Sequence, residues 1–197
     1  MEEELMLSII KGINQKGWSP ATSTNYSFIK NQEIIISRSG VDKEFFTLND
    51  FIKIDAQGNL LSAYEQFKTS AETLIHCFIY KHFPSTRCIL HSHSIPSTIL
   101  PTLQKNYEHI NFGGYEIIKG IKGNETHQTN IQLPVFDNEQ DMPKFCKTLE
   151  SRRDELTNFG FLMNKHGLYA WGDSILEAKR HLETWEYLLQ CELTLYQ

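Results

Sequence analysis

Residues 88–94, Cys-Ile-Leu-His-Ser-His-Ser, constrain the fold more than any other stretch of this chain. The first three are apolar and predict a buried strand, on which side chains alternate between two faces. His91 and His93 are therefore expected on one face, with Ser92 on the other. Two adjacent imidazoles at the end of a strand pack poorly in a core but serve well as metal ligands. Surface or hydrogen-bonded histidines are the alternative for so short a motif.

A third histidine strengthens the metal interpretation. His166 follows the apolar run 159–163, which predicts another strand whose end presents an imidazole, and Gly167 permits close approach of the backbone. Three neutral imidazoles with an open fourth position form a ligand set typical of catalytic zinc, whereas structural zinc sites usually have four protein ligands. His127, in a polar stretch, is a possible fourth ligand, but an isolated loop histidine is more often simply solvated.

The periodicity of apolar residues predicts an α/β fold. Strands outnumber helices and several are joined by short turns, which indicates three layers, α/β/α, around a central mixed, mostly antiparallel sheet. We expect a single domain over residues 1–197. The predicted helices cover residues 3–16, 69–82 (opened by a Thr69–Glu72 capping box), 94 to about 105, 141–157 and a final helix capped by Asp173, and the predicted strands include 26–30, 33–37, 51–55, 131–136, 159–163 and 168–171. His76 and His82 are interpreted as ordinary residues of an amphipathic helix.

Charge and cysteine content limit the possible partners. With 19 basic and 24 acidic residues the net charge is −5, which argues against nucleic acid as the main partner. No apolar run reaches the length of a membrane span, and the start Met-Glu-Glu-Glu is acidic where a signal peptide is basic. The four cysteines show no paired spacing and indicate reduced thiols. We expect a cytoplasmic protein.

Two polar turns and a helix start are candidates for binding an anion. Ser23 and Asn25 lie in a hydroxyl-rich stretch that is either a surface loop or an anion cradle, and Gly40 lies in a second polar turn. Ser70 lies where a predicted helix begins, so backbone N–H groups there could face a phosphate, while Glu72 is expected to cap the same helix. Glu116, in a Gly-rich segment, has only a weak claim from sequence because most glutamates are solvated.

Several motifs taken together resemble the class II aldolase family. They are Trp-Ser-Pro-Ala-Thr-Ser-Thr-Asn at 18–25, Ser-Gly-Val-Asp-Lys at 39–43, Ser-Ala-Glu-Thr at 70–73, His-Ser-His-Ser at 91–94, Glu-Ile-Ile-Lys-Gly at 116–120 and His-Gly-Leu-Tyr-Ala-Trp-Gly at 166–172. They cover nearly the whole chain in the expected order. The pieces at 39–43 and 166–172 favour a sugar-phosphate dehydratase over the sugar-phosphate aldolases. One departure is Thr24, where relatives usually have Gly.

The resemblance implies a zinc-dependent enzyme that acts on a small sugar phosphate. It implies one zinc ion per chain, a catalytic acid/base at Glu116, and a homotetramer with the site near a subunit interface. Glu72 falls where aldolase relatives have a carboxylate that acts as base or metal ligand, so it is a second candidate. The implied zinc ligands are His91, His93 and His166, and the implied substrate-binding residues are Ser23, Asn25, Gly40, Ser70 and Glu72.

Two other functions remain open from the sequence. The first is an aldolase or epimerase that uses the same zinc site on another sugar phosphate, such as fuculose or ribulose phosphate. The second is a non-catalytic interaction module of the kind found in adducin head domains. The intact set of three histidines argues against the second, because a scaffold has no use for converging imidazoles.

Overall fold

A computed structural model describes residues 2–103 and 108–196. The described helices are α1 (Glu2–Gln15), α2 (Thr73–His82), α3 (Ile95–Leu103), α4 (Met142–Ser151) and α5 (Ile175–Thr194). The described strands are β1 (Tyr26–Lys30), β2 (Glu33–Ser37), β3 (Phe51–Ile54), β4 (Cys88–Ser92), β5 (His109–Phe112), β6 (Ile131–Phe136), β7 (Gly160–Met163) and β8 (Gly167–Gly172).

The strands form one sheet in the order β3-β2-β1-β4-β8-β7-β6-β5. Among these pairs β6 and β7 are parallel and the others are antiparallel, which confirms the predicted mixed, mostly antiparallel sheet. The hairpin between β1 and β2 turns at Asn31 and Gln32, which both have positive φ, as a tight two-residue hairpin turn requires. The central pair β4 and β8 places His91 opposite Tyr169.

Helices cover both faces of the sheet, which confirms the three layers. One core lies between the sheet and α1, α3 and α5, and it includes Met6, Leu100 and Trp185. The other lies between the sheet and α2 and α4, and it includes Ile79 and Phe145. Successive residues of β4 contribute to different cores, so this strand carries side chains into both layers.

Several predicted helix boundaries differ from the structure, by one residue at α1 and at the start of α3 and in three further places. α2 begins at Thr73, and the Glu72 side chain bonds Asn25 and Tyr169 rather than the backbone of Thr69, so the capping box is wrong. The predicted helix 141–157 is α4 followed by a 3-10 helix, Arg153–Asn158. The cap of α5 is Ser174, one residue after the predicted Asp173, because its hydroxyl accepts from the backbone N–H of Glu177. The predicted end of α3 near Lys105 lies outside the described residues.

Among the described helices, none combines the length and apolar character needed to cross a bilayer.

Candidate functional site

The three histidines predicted as metal ligands come together at the end of β4. His91 is the fourth residue of this strand, His93 directly follows it, and His166 precedes β8, the neighbouring strand. Their Nε2 atoms converge: His91 lies 2.7 Å from His93 and 3.3 Å from His166. Across the described residues, these three form the group whose ligand atoms lie within 4.8 Å of one another.

Hydrogen bonds at the opposite ring nitrogens fix the tautomers of two of these histidines. Nδ1 of His91 donates to the carbonyl oxygen of Leu168 at 2.9 Å, and Nδ1 of His166 donates to Oδ1 of Asn138 at 3.1 Å. In a neutral ring held in this way, the Nε2 that points into the cluster carries no proton and can bind a metal ion. This pattern of outward N–H bonds is typical of histidine ligands to a metal, so the residues fit such an ion.

Burial keeps the two histidines of the 91–93 motif neutral. It lowers the pKa of His91 well below its usual value, with a further contribution from His93, and lowers the pKa of His93 to about 4. Neutral imidazoles can bind a metal at neutral pH without first losing a proton. Gly167 contributes to the close packing, because a Cβ there would lie only 2.0 Å from the carbonyl oxygen of Ser92.

Glu72 is the carboxylate that the structure brings to this cluster. Its Oε1 lies 3.1 Å from Nε2 of His166, and its Oε2 lies 3.5 Å from Nε2 of His91. Its Oε2 also accepts hydrogen bonds of 2.6 Å from the Asn25 amide and from the Tyr169 hydroxyl. Burial favours the neutral acid, but the hydrogen bonds from His166 and Tyr169 outweigh it and lower the pKa of Glu72, so the group is a carboxylate.

A cavity of about 140 Å³ opens beside Glu72 and His93. Residues 22–25, residues 37–40 and Ser70 line it, so the candidates Ser23, Asn25, Gly40 and Ser70 surround one space. Arg38 also lines it and is paired with Asp50 at 2.7 Å. Hydroxyl, amide and guanidinium donors around a small space make it suitable for an anion such as a phosphate.

The buried side chain of Lys43 connects the two loops of this cavity. Its Nζ donates to the carbonyl oxygens of Ser23 and Val41, both at 2.9 Å, and burial lowers its pKa to about 8. Thr24 has a φ of 70°, a left-handed conformation that is strained for a β-branched residue and natural for Gly. The Thr24 hydroxyl donates to Tyr26 Oη at 2.7 Å.

Backbone contacts join this loop to the histidines. The N–H of His91 donates to the carbonyl oxygen of Asn25 at 3.2 Å, and the N–H of His93 donates to that of Trp18 at 2.8 Å. The cavity beside Glu72 and the histidine cluster are therefore parts of one site.

Glu116 lies elsewhere. It begins a 3-10 helix, Glu116–Gly120, that packs against α5, and its side chain is 73% exposed and pairs with Lys119. α5 covers the face of the sheet that Ser92 points to, whereas His91 points to the opposite face. The hydrogen bond from Lys119 lowers the pKa of Glu116. His127, the possible fourth ligand, lies 3.7 Å from Glu116 rather than in the histidine cluster.

Besides Arg38, the sequence interpretation missed two side chains that contact Glu72 or its partner Asn25. Tyr169 stacks on His91 with ring centroids 4.0 Å apart and donates to Glu72. His76, interpreted as an ordinary helix residue, is fully buried and faces Asn25. Strand alternation could have indicated Tyr169, because it puts this residue on the same face as Trp171. No local pattern could have indicated His76, because its partner Asn25 lies 51 residues away in the chain.

Known proteins resemble this chain over nearly its whole length. The family model described as Class II Aldolase and Adducin N-terminal domain matches residues 4–193. A methylthioribulose-1-phosphate dehydratase from Picosynechococcus sp. is 52% identical over 98% of this chain and 91% of its own length. One from Xanthomonas oryzae pv. oryzae is 40% identical over 97% of this chain and 84% of its own.

Two crystal structures share the fold. YgbL from Escherichia coli superimposes with a TM-score of 0.82 at 23% identity and covers 98% of this chain and 88% of its own. L-fuculose-1-phosphate aldolase from Thermus thermophilus gives a TM-score of 0.76 at 20% identity, with coverage of 98% and 95%. At these identities the likeness concerns the fold alone.

Proposed function

Since this chain belongs to the class II aldolase and adducin family, we propose that it is a methylthioribulose-1-phosphate dehydratase. It is a hydro-lyase that converts 5-methylthioribulose 1-phosphate into 2,3-diketo-5-methylthiopentyl 1-phosphate and water, a step of methionine salvage. The observation that carries the proposal is one site with three converging imidazoles beside an anion cavity, in a chain 52% identical to a dehydratase of that name.

The proposed cofactor is one zinc ion per chain, held by His91, His93 and His166. The tetrahedral preference of zinc suits three imidazole ligands with a fourth position left for substrate. When bound, zinc acts as a Lewis acid that stabilises negative charge on an oxygen of the substrate. The neutral histidines support this choice, because they leave the full charge of the ion available for that purpose.

The chain's own residues would then hold the substrate and move its protons. The 1-phosphate occupies the cavity lined by Ser23, Asn25, Gly40 and Ser70, where side-chain and backbone donors can reach its oxygens. This placement directs the C2 carbonyl and the following carbons toward the histidines and Glu72. Tyr169 and Asn25 hold the Glu72 carboxylate beside the imidazoles, ready to accept a proton.

Two proton transfers are needed, because the reaction removes the C3 hydrogen and the C4 hydroxyl as one molecule of water. The C2 carbonyl acidifies the C3 hydrogen, which leaves as a proton to a carboxylate. Glu116 is the proposed acid that protonates the departing C4 hydroxyl, and Glu72 is the second candidate for taking the C3 proton. The resulting enol becomes the diketone. General acid catalysis of this kind contributes about 100- to 10,000-fold.

The position of Glu116 supports a homotetramer with shared sites. Within one chain it lies on the α5 side of the sheet, so we assign it to the histidine cluster of a neighbouring subunit. The exposed apolar side chains of Ile117 and Tyr187 line a hollow around it and would be buried by such an association. All four cysteines are described and are free thiols, which supports a cytoplasmic location.

The direct test is incubation of the zinc-loaded protein with methylthioribulose 1-phosphate, followed by mass spectrometry. We expect a product lighter by one water molecule, and none with the His91→Ala variant. Products of carbon–carbon cleavage would instead identify an aldolase, and an isomer of unchanged mass would identify an epimerase. An unchanged substrate in the presence of a fully zinc-loaded protein would contradict the proposal.

A further inference from the structure

A line of buried polar side chains leads from Glu72 into the core between β1 and α2. The Asn25 amide donates to Oε2 of Glu72 at 2.6 Å, and its Oδ1 faces Nε2 of His76. Nδ1 of His76 lies 2.7 Å from the Ser27 hydroxyl, which lies 2.8 Å from the Tyr80 hydroxyl. Asn25, Ser27 and His76 are all buried. None of the reaction steps given above uses His76, Ser27 or Tyr80.

Secondary structure aligns these groups. Asn25 directly precedes β1 and Ser27 is its second residue, so they are two positions apart and their side chains share one face. His76 and Tyr80 are four positions apart on α2, so they too share one face. The strand and the helix therefore present matched pairs, and α2 carries Glu72 at its N-terminal end.

The donors and acceptors fit in one order only. A carboxylate accepts hydrogen bonds, so Asn25 must present its NH₂ group to Glu72 and its Oδ1 to His76. Nε2 of His76 must then carry the proton. A neutral imidazole leaves Nδ1 as acceptor, so Ser27 donates to it and accepts from Tyr80. If the Asn25 amide were reversed, its Oδ1 would face Oε2 of Glu72, and two acceptors cannot form a hydrogen bond.

We propose that His76 is a positioning residue, which acts through Asn25 to hold the Glu72 carboxylate in place beside the three clustered histidines. The side chain of Asn25 can rotate by half a turn with little change in shape, so its own packing does not choose between NH₂ and oxygen. The proton on Nε2 of His76 selects the same orientation as the Glu72 carboxylate and locks it from the other side of the amide. The carboxylate is then held at Oε2 by Asn25 and Tyr169, which leaves Oε1 toward His166.

This inference rests on the proposed function only where it concerns the rate of the reaction. The hydrogen-bond arrangement itself can be tested without substrate. The wild-type protein, loaded with zinc and labelled with ¹⁵N in histidine, reports the tautomer of His76 through the two ring nitrogen resonances. We expect a protonated Nε2 and an unprotonated Nδ1 throughout neutral pH. A proton on Nδ1, or on both nitrogens, would overturn the proposal because Asn25 would then be oriented by something else.

Kinetics separate a positioning role from simple core packing. His76→Phe keeps an aromatic ring and removes both hydrogen bonds, and we expect kcat to fall by about 10- to 100-fold, as for other residues that orient groups at metal sites, with zinc content unchanged. His76→Gln can donate through its NH₂ group and accept through its oxygen, so it should recover part of the loss. His82→Phe, on the same helix but paired with Glu150 outside this line, is the matched control and should keep wild-type kcat.

The decisive comparison places His76→Phe in an Asn25→Ala protein. If His76 acts through Asn25, the second change should cost less than about 2-fold, because the residue that transmits its effect is already gone. Independent losses that multiply in the double variant would refute the proposal. If His76→Phe does not fold, the tautomer measurement on the wild-type protein still decides. Failure of the proposed function is a different result, because the protein would then show the expected tautomer without dehydrating the substrate.

Discussion

Glu186 is a carboxyl group buried beneath the histidine strand. It lies on α5, is 2% exposed, and its two oxygens accept hydrogen bonds from the hydroxyls of Ser92 and Ser94, which flank His93. Burial raises its pKa to about 7, although the two serine bonds and the charge of Lys16 act in the opposite direction. This group should make the stability of the protein depend on pH in the neutral range.

The sign follows from proton binding. Between pH 4.5 and 7 the carboxyl of the unfolded chain has lost its proton while the folded protein retains it. Stability contributed by this group is therefore greatest below pH 4.5 and is lost as pH rises through about 7. The difference between the two pKa values corresponds to about 3 kcal/mol, since one unit is worth about 1.4 kcal/mol.

Glu186→Gln isolates this contribution. Glutamine reproduces the shape of the neutral acid: its oxygen can accept from Ser92, and its NH₂ group can donate to Ser94, which can in turn donate to Ser97 at 2.9 Å. We expect the variant to be about 3 kcal/mol more stable than the wild type at pH 8, and only about 1 kcal/mol more stable at pH 5. For a chain of this size that shifts the urea midpoint at pH 8 by roughly 1–2 M.

The assay is urea unfolding of both metal-free proteins at equal concentration across pH 5–8, so that the titration of the histidines cancels in the difference. Glu183→Gln is the control on the same helix. Glu183 pairs with Lys16 and Lys179, and although burial opposes it, these bonds lower its pKa, so removal of its charge should give no gain at pH 8. A difference between Glu186→Gln and wild type that is the same at pH 5 and pH 8 would refute the reasoning.

Four further predictions concern the site. The double variant His91→Ala/His93→Ala should lose zinc binding and activity while its circular dichroism spectrum stays like that of the wild type. Full metal content in this variant would contradict the ligand assignment. Ser70→Ala should raise KM about 10-fold or more with little change in kcat, because a hydroxyl bond to a charged group is worth about 1.5–3 kcal/mol. Glu116→Gln should lower kcat at least about 100-fold with zinc retained. If subunits share sites, mixing this variant with the inactive His91→Ala protein should restore activity. No recovery of activity after the subunits have exchanged would exclude shared sites. Thr24→Gly should unfold close to the wild-type urea midpoint, because relief of about 1–2 kcal/mol of left-handed strain offsets loss of the hydrogen bond to Tyr26. Thr24→Val loses the same hydrogen bond and keeps the strain, so it should be about 1 kcal/mol less stable than the wild type.

The sequence was sufficient for the parts of the molecule that follow local rules. Strand alternation and helix periodicity predicted the hairpin β1–β2, the strand of His91 and the long α5, because each pattern reports which face of an element is buried. The three histidines could be grouped because each stands at the end of a predicted strand.

What the sequence could not predict depends on partners that are distant along the chain. Glu72 matched a capping box, but a carboxylate near histidines and an amide gains stronger bonds there than at a helix end, so tertiary contacts overrode the local pattern. The neutral, buried state of His76 likewise depends on Asn25 and Ser27 from another element. No periodicity encodes such pairs.

Glu116 shows how the same limit extends beyond one chain. An acid must carry its proton in the enzyme–substrate complex, yet in the single chain Glu116 is exposed and its bond to Lys119 lowers its pKa. Exposure and a nearby cation both favour the carboxylate, so nothing among the described residues of this chain supplies the raised pKa that an acid needs. Burial against a neighbouring subunit would change both conditions, because it removes water and can draw Lys119 to another partner. The proposed role of Glu116 and the proposed tetramer are therefore one hypothesis: association both brings this carboxyl to a histidine cluster and gives it the surroundings in which it can hold a proton.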